Sequence, residues 1–353
     1  DADRTGGTRM KADREQVLLG AIDILTHPEL PFELSGTKLY GKTKTEREET
    51  DMDADCRIYQ LSNETGSGKI TAYRVFSGVE LYYNDMHMEY CNKDQATAKN
   101  MIEINHCLVG RYECSFGENS CCYMAAGDLS IGSVRKKKSF SCFPLKHYHG
   151  ITVVIDLEKI LPEVRRIMEL LGIDLAHLRT YICEENRCCI MRANPSIQHI
   201  FSELYQGREQ QKPGYRKLKM LELLLFLSDL DAGKEILQTE YFSHAQVARS
   251  KEVAAYMTED LSRHETIGQL AERFRISPTA LKKCFKGVYG TSVYSYLRNY
   301  RMQEAQKLLL ETELTVGEIA AKIGYENPNK FTSAFKKTYG VTPTEFKKRC
   351  PIG

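Results

Sequence analysis

No stretch of this sequence approaches the roughly 18 consecutive apolar residues of a membrane-spanning helix, so none is expected. The N-terminal residues are charged and polar, without the apolar segment of a secretion signal. The chain opens at Asp1, and Met10 offers one native start, with residues 1–9 either foreign to the protein or part of a longer sequence. Twelve cysteines are present, yet no CxxC…CxxC pair marks a structural zinc site. Without a secretion signal, free thiols in a reducing cytoplasm are expected. A large excess of one charge is also missing, since the net charge is +2. That small number hides an asymmetry. Residues 248–353 carry 18 Lys and Arg against 11 Asp and Glu, a surplus of +7, and the remainder carry 31 against 36, or −5. A basic C-terminal part on a mildly acidic remainder fits nucleic-acid binding by the C-terminal part alone.

A length of 353 residues suggests two or three domains, and 42% hydrophobic content can fill their cores. Val17, Leu18, Ala21, Ile22 and Leu25 give residues 11–27 the one-sided pattern of a short amphipathic helix. Residues 41–55 are charged and Thr-rich, as in a mobile connector. Short strands are predicted over 56–156. Residues 101–108 alternate in part, and 111–116 follow Gly110 as the second arm of a hairpin. Residues 121–124 precede a turn at 126–128, residues 129–131 resume, and 151–155 read as a buried strand. Many short strands with Gly-bearing turns suggest a small antiparallel barrel or jelly roll. Helices are predicted next, near Pro162, over 196–206 and over 215–231. The last carries Leu218, Leu221, Leu224, Leu225 and Leu227 around more than half of its circumference. It needs burial on two sides, against the barrel and a second subunit, or else it is a core helix of one domain. Residues 232–247 read as a linker.

The last hundred residues contain one unit twice. Thr266-Ile-Gly-Gln-Leu-Ala271 returns 49 positions later as Thr315-Val-Gly-Glu-Ile-Ala320. Phe285-Lys286 and Tyr289-Gly290 return 50 positions later as Phe335-Lys336 and Tyr339-Gly340. Each copy reads as a helix-turn-helix. Thr266-x-x-Gln269 and Thr315-x-x-Glu318 have capping-box spacing, which satisfies orphan N–H groups at a helix start. Ser277-Pro278 opens the second helix of the first copy, with Pro where no N–H is needed. Gly290 and Gly340 supply left-handed stops. Leu270, Ala271, Phe274, Leu281, Cys284, Phe285 and Val288 are expected inside the first copy. Ile319, Ala320, Ile323, Phe331, Ala334, Phe335 and Tyr339 are expected inside the second. A leading helix is predicted over 249–261, a strut over 292–311, and a short last helix after Thr342-Pro343-Thr344-Glu345. At about 1.5 Å per residue the strut spans about 30 Å, close to the roughly 34 Å between successive major grooves on one face of DNA. An all-helical protein-interaction repeat is the alternative, but two copies are too few for a solenoid.

Residues 250–349 resemble the DNA-binding domain of the AraC/XylS family of bacterial transcription regulators. The run Ile319-Ala-Ala-Lys-Ile-Gly-Tyr-Glu-Asn-Pro-Asn-Lys-Phe-Thr-Ser-Ala-Phe-Lys-Lys-Thr-Tyr-Gly-Val-Thr-Pro-Thr-Glu-Phe346 carries the family signature. Its Asn329-Lys330-Phe331 variant resembles the branch of pyochelin- and yersiniabactin-type siderophore regulators. The resemblance implies that the second helix of each unit enters a major groove. By position, the first unit would contact DNA through Thr279, Lys282, Lys283 and Lys286. The second would use Asn327, Pro328, Asn329, Lys330, Thr332 and Ser333, with Lys336 and Lys337 near phosphates. Lys can read guanine or pair with phosphate, and Asn329 can bridge adenine. Many relatives place Arg or Gln where this chain has Pro328 and Ser333. The second unit is therefore expected to dock on the backbone more than to read bases.

The strand-rich region followed by helices resembles, by architecture, the cupin-like sensing domain and dimerisation helices of ligand-responsive members. The expected fold class is α+β: a cupin-like small β-barrel with dimerisation helices, then an all-α domain of two helix-turn-helix units joined by a long helix. The expected division is an arm and connector over 1–55, a sensing domain over 56–156, dimerisation helices over 157–231, a linker over 232–247 and a DNA-binding domain over 248–350. The resemblance implies a cytoplasmic homodimer that binds operator DNA and RNA polymerase, acts as an activator and answers to a small effector. No enzymatic activity, cofactor or metal is expected. His147-Tyr148-His149 puts two imidazoles on one strand face, and with His106 these are the candidate ligand-binding residues. The Glu of a cupin metal set does not follow them, because residues 150–155 are apolar. A cupin-type metalloenzyme fused to the DNA module is the alternative of another class. A methyl-transfer protein would need a zinc-bound nucleophilic Cys, which the spacings do not supply. Cys121-Cys122, Cys188-Cys189 and Cys183 leave a redox or soft-metal sensor as another alternative, against small buried hydrophobes. Arg135-Lys-Lys-Lys138 reads as a solvated loop or strand end.

Overall fold

The computed structural model describes residues 44–46, 56–93, 100–116, 119–133, 139–179, 189–206, 213–229 and 240–349. The helix expected over 11–27, residues 135–138, Cys183 and Cys188 lie outside them. The chain divides into two compact units, residues 1–44 and 45–353, and Lys44 alone of the first is described.

Strands come first: β1 (Lys44–Glu46), β2 (Cys56–Asn63), β3 (Gly66–Phe76), β4 (Val79–His87), β5 (Tyr90–Lys93), β6 (Met101–Gly110), β7 (Tyr112–Phe116), β8 (Ser120–Met124), β9 (Leu129–Ser133), β10 (Ser139–Cys142) and β11 (Tyr148–Asp156). Helix α1 (Pro162–Leu170), the single turn α2 (Leu175–His177), strand β12 (Cys189–Met191), α3 (Pro195–Gln206), α4 (Pro213–Ser228) and β13 (Phe242–Ser243) follow. An eight-stranded sheet has the order β1-β2-β3-β4-β11-β6-β9-β12, and a five-stranded sheet has the order β13-β8-β7-β10-β5.

Three sequence expectations give way here. The connector over 41–55 contains strand β1. The hairpin at Gly110 does not form, because β6 pairs with β11 and β9 while β7 pairs with β8 and β10. Gly110, at φ 90°, turns the chain from one sheet to the other, and a Cβ there would sit 2.0 Å from the His147 carbonyl oxygen. The helical and linker regions also contribute strands: β12 pairs with β9, and β13 pairs with β8. Both are too short to show a period of two in the sequence.

Strand alternation sorts side chains into separate cores. Val79, Leu81 and Tyr83 of β4, Ile102 and Ile104 of β6, and Ile151, Val153 and Ile155 of β11 pack with Met168 of α1, Phe201 and Leu204 of α3, and Leu223 and Leu227 of α4. A second core gathers Met86, Cys107, Cys114, Cys122, Met124, Phe143 and Tyr148 from strands and turns of both sheets. Helix α4 buries Met220, Leu223, Leu224 and Leu227, but leaves Leu218 66% and Leu225 38% exposed. Its buried face also holds two cations: Arg216 lies 4.2 Å above the Tyr73 ring, and Lys219 pairs with Glu203 and Glu222.

The C-terminal part is helical: α5 (His244–Glu259), α6 (Ile267–Arg273), α7 (Pro278–Tyr289), α8 (Val293–Glu311), α9 (Val316–Lys322), α10 (Pro328–Tyr339) and α11 (Pro343–Arg349). Helix α5 begins at His244 rather than near 249, because Ser243 and Gln246 form a capping box. The boxes at Thr266/Gln269 and Thr315/Glu318 form as expected. One core runs through both units and includes Leu270, Leu281, Phe285, Val288, Ile319, Ile323, Phe331 and Phe335. Burial of each such side chain contributes about 1.5–3 kcal/mol. Phe274, Ala334 and Tyr339 are only partly buried at its edge. Thr315→Ala removes the oxygen that accepts from the Glu318 N–H and the hydroxyl that donates to its carboxylate. A loss of about 1 kcal/mol is expected, read as a lower denaturant midpoint at unchanged slope. An unchanged midpoint would contradict the role of this cap.

Candidate nucleic-acid interface

The two candidate recognition helices, α7 and α10, are each 12 residues long. Both start at Pro and end at a left-handed Gly, Gly290 at φ 75° and Gly340 at φ 77°. Their N-caps differ. Ser277 Oγ accepts from the Ala280 N–H at 3.2 Å, whereas Asn327 Oδ1 accepts from the Asn329 N–H at 2.8 Å. The turns before them differ as well: Gly324 takes φ 79°, but the matching position of the first unit is Arg275 at φ 51°. That left-handed arginine costs about 1 kcal/mol of backbone strain, and the duplication pattern did not signal it.

Helix α8 ties the units together. Its 19 residues span about 28 Å, and it touches α5, α7, α9, α10 and α11. Arg301 of α8 donates to the carbonyls of Leu261 at 2.6 Å and Arg263 at 3.3 Å. Gly324 lies against the same spot, where a Cβ would be 2.1 Å from the Leu261 oxygen.

Thr279, Lys282, Lys283 and Lys286 are exposed on α7, and Pro328, Asn329, Lys330, Ser333, Lys336 and Lys337 are exposed on α10, with Asn327 exposed as its N-cap. Thr332 is half-buried. Four of these groups are already engaged. Thr332 and Ser333 donate their hydroxyls to the Pro328 and Asn329 carbonyls, both at 2.9 Å, and the Asn327 oxygen caps the helix. Their remaining capacity is the acceptor side of the hydroxyls and the Asn327 amide NH2. Lys283 pairs with Glu240 at 2.5 Å, a partner that precedes β13 and that no sequence pattern indicated.

The first unit is docked on the five-stranded sheet. Phe242 of β13 fills the space left by Gly287, where a Cβ would lie 2.3 Å from the ring. Arg111 donates to the Gly287 carbonyl at 2.5 Å. Glu113 of β7 accepts from Lys251 of α5 at 3.1 Å and from the Tyr123 hydroxyl at 2.7 Å. Strand β8 therefore serves two cores: Cys121 and Tyr123 pack against the helical module, and Cys122 and Met124 face the core between strands.

The candidate histidines part company. His147 and His149 stand together with His87, which sequence reasoning missed, and a ring nitrogen of each lies within 4.8 Å of the others. His106 does not join them. Its ring stacks on Phe201 with centroids 4.1 Å apart, its Nδ1 lies 3.0 Å from the Tyr205 hydroxyl, and burial pushes its pKa down to about 3. The adjacent thiols of Cys121 and Cys122 are fully buried in different cores, and burial pushes Cys121 up to about 12. Cys189 is buried as well. These thiols behave as small hydrophobes rather than as a reactive pair.

Residues 270–349 match the family described as "Helix-turn-helix domain". The chain is 24% identical over 261 residues to the HTH-type transcriptional activator CfaD of Escherichia coli, covering 70% of this chain and 94% of that protein. It is 25% identical over 261 residues to the DNA-binding dual transcriptional regulator Rns of Escherichia coli, with the same coverage of 70% and 94%. Among solved structures, the C-terminal domain of AraT, a response regulator from Geobacillus stearothermophilus, is 33% identical, with 30% of this chain and 88% of that one covered and a TM-score of 0.29. With its two capped helix-turn-helix units and its signature run, the chain belongs to the AraC/XylS family of transcription regulators.

Proposed function

We propose that the protein is a sequence-specific, DNA-binding transcription activator whose two recognition helices, α7 and α10, enter adjacent major grooves of promoter DNA. The observation that carries this reading is the pair of equivalent 12-residue helices, each with an exposed Lys-bearing face, held on one α8 of about 28 Å. Recognition divides between them. Lys282, Lys283 and Lys286 read bases and phosphates through α7, with Thr279 beside them. Asn329 and Lys330 make the main contacts of α10, and Lys336 and Lys337 neutralise phosphate. Pro328, Thr332, Ser333 and Asn327 position that helix.

The remainder of the chain is read as the regulatory half. The proposed division is an arm over 1–55, a cupin-like sensing domain over 56–156, dimerisation helices over 157–231, a connection over 232–247 and the DNA-binding domain over 248–350. Exposed Leu218 and Leu225 on α4 support a homodimer contact there. A small ligand is received in the strand-rich half, where His147 and His149 stand, and His106 is left out because Phe201 and Tyr205 enclose it. The signal reaches α7 through Arg111, Phe242 and Glu240. The named activity of relatives such as CfaD supports the activator role and, with it, contact with RNA polymerase. The reading needs no enzymatic step and no cofactor.

A fluorescence anisotropy titration on selected operator DNA tests this. Affinity should fall steeply as salt rises, because Lys–phosphate pairing releases counterions. Lys283→Ala should weaken operator binding by about 1–3 kcal/mol and relax sequence preference. Equal affinity for both proteins would remove Lys283 from base readout, and binding indifferent to salt would contradict the whole reading. Glu240→Gln frees Lys283 from its ion pair and should tighten DNA binding by up to about fivefold, the range of an exposed salt bridge. A weaker complex would contradict competition between Glu240 and DNA.

A further inference from the structure

Strands β4 and β11 change character at the same end. Along one face, β4 runs Val79, Leu81, Tyr83, then Asp85 and His87. Along the same face, β11 and the residue before it run Ile155, Val153, Ile151, then His149 and His147. The antiparallel register aligns these changes, pairing Leu81 with Val153, Tyr83 with Ile151 and Asp85 with His149. An apolar face that packs under helices thus ends in three imidazoles and one carboxylate.

The internal geometry of that group is specific. Asp85 Oδ1 lies 3.0 Å from His87 Nε2 and 3.1 Å from His149 Nδ1, within ion-pair distance of both rings. His87 keeps its other nitrogen for a different partner. His87 Nδ1 faces His147 Nδ1 at 3.3 Å. Two nitrogens at about 2.0–2.1 Å from a tetrahedral zinc ion lie about 3.3 Å apart. A carboxylate behind the histidines is also the usual way to fix tautomer and ring orientation at a metal. His147 Nε2 is buried and has no hydrogen-bond partner among the described residues. The nearest cation by register on this face is Lys69 of β3, opposite Asp85.

We propose that His87, His147 and His149 bind a late first-row divalent metal ion, zinc foremost, with Asp85 orienting His87 and His149. Imidazole ligands suit Zn, Ni, Cu and Fe, and three protein ligands leave one coordination position open for water or an anionic ligand. The site names the ligand class for the sensing half proposed above. It is measured without DNA, so its failure leaves the DNA-binding reading untouched.

The test uses the full chain, stripped with a chelator, dialysed, and titrated with Zn2+ against a chromophoric competitor. One equivalent should bind saturably. His87→Ala and His147→Ala, both at the end of the sheet, should each weaken binding about tenfold or more. His199→Ala, at an exposed position on α3, should keep it. Unchanged circular dichroism shows that the variants fold. Co2+ should give the visible bands of a tetrahedral nitrogen site without a thiolate charge-transfer band. No saturable Zn2+ binding, equal affinity in the His87 and His147 variants, equal loss in His199→Ala, or a thiolate band from cysteine ligation would each overturn the proposal.

Discussion

Helix α8 has to complete one core shared by two helix-turn-helix units. Val293, Leu297, Met302, Ala305, Leu308 and Leu309 are buried in the core that also holds Phe285 and Val288 of the first unit and Ile319 and Phe335 of the second. Its apolar residues therefore spread around the axis instead of forming one stripe. Rotating or sliding α8 to improve its packing on one unit would open its packing on the other. This constraint fixes the separation and phase of α7 and α10, and with them the spacing of their two exposed Lys-bearing faces. Arg301 reinforces it near the middle by bonding the Leu261 carbonyl, in a place that only a Gly at 324 leaves open.

The same logic of a small residue facing a large one joins the two halves. Gly287 on the outer side of α7 admits the Phe242 ring, and Arg111 then reaches the Gly287 carbonyl. The recognition helix of the first unit is thus held by the β-rich half, through β13, through β7 by way of Glu113 and Lys251, and through Glu240 at Lys283. The second unit makes its contacts through α8 and α11, where Lys347 bonds the Thr312 and Leu314 carbonyls. An input from the β-rich half would therefore act on α7 before α10.

The helical module could be read almost completely from the sequence. Thr266, Gln269, Thr315, Glu318, Gly290 and Gly340 act locally, over three or four residues, so spacing alone reveals them. The β-rich half was legible as a strand-rich region but not as a topology. Gly110 looked like a hairpin turn because a left-handed glycine suits a hairpin and a sheet-to-sheet crossing equally. His87 was overlooked beside His147 and His149 for a related reason. Sixty residues separate it from His147, and only the β4–β11 register brings them together. Glu240 and Arg111 were hidden in the same way, since their partners lie on α7. Asn327 adds a local role that the family pattern does not carry: its side-chain oxygen is the N-cap of α10, while its amide NH2 keeps its donors.

The central claim is that α7 and α10 occupy successive major grooves on one face of the duplex. Methylation-interference footprinting of the full chain on a selected operator tests it most directly. The account predicts two protected major-groove patches per protomer, about 10 base pairs apart, with the contacts of the patch under α7 weakened by Lys283→Ala and those under α10 by Asn329→Ala. A single patch, or two patches on opposite faces of the DNA, would contradict it.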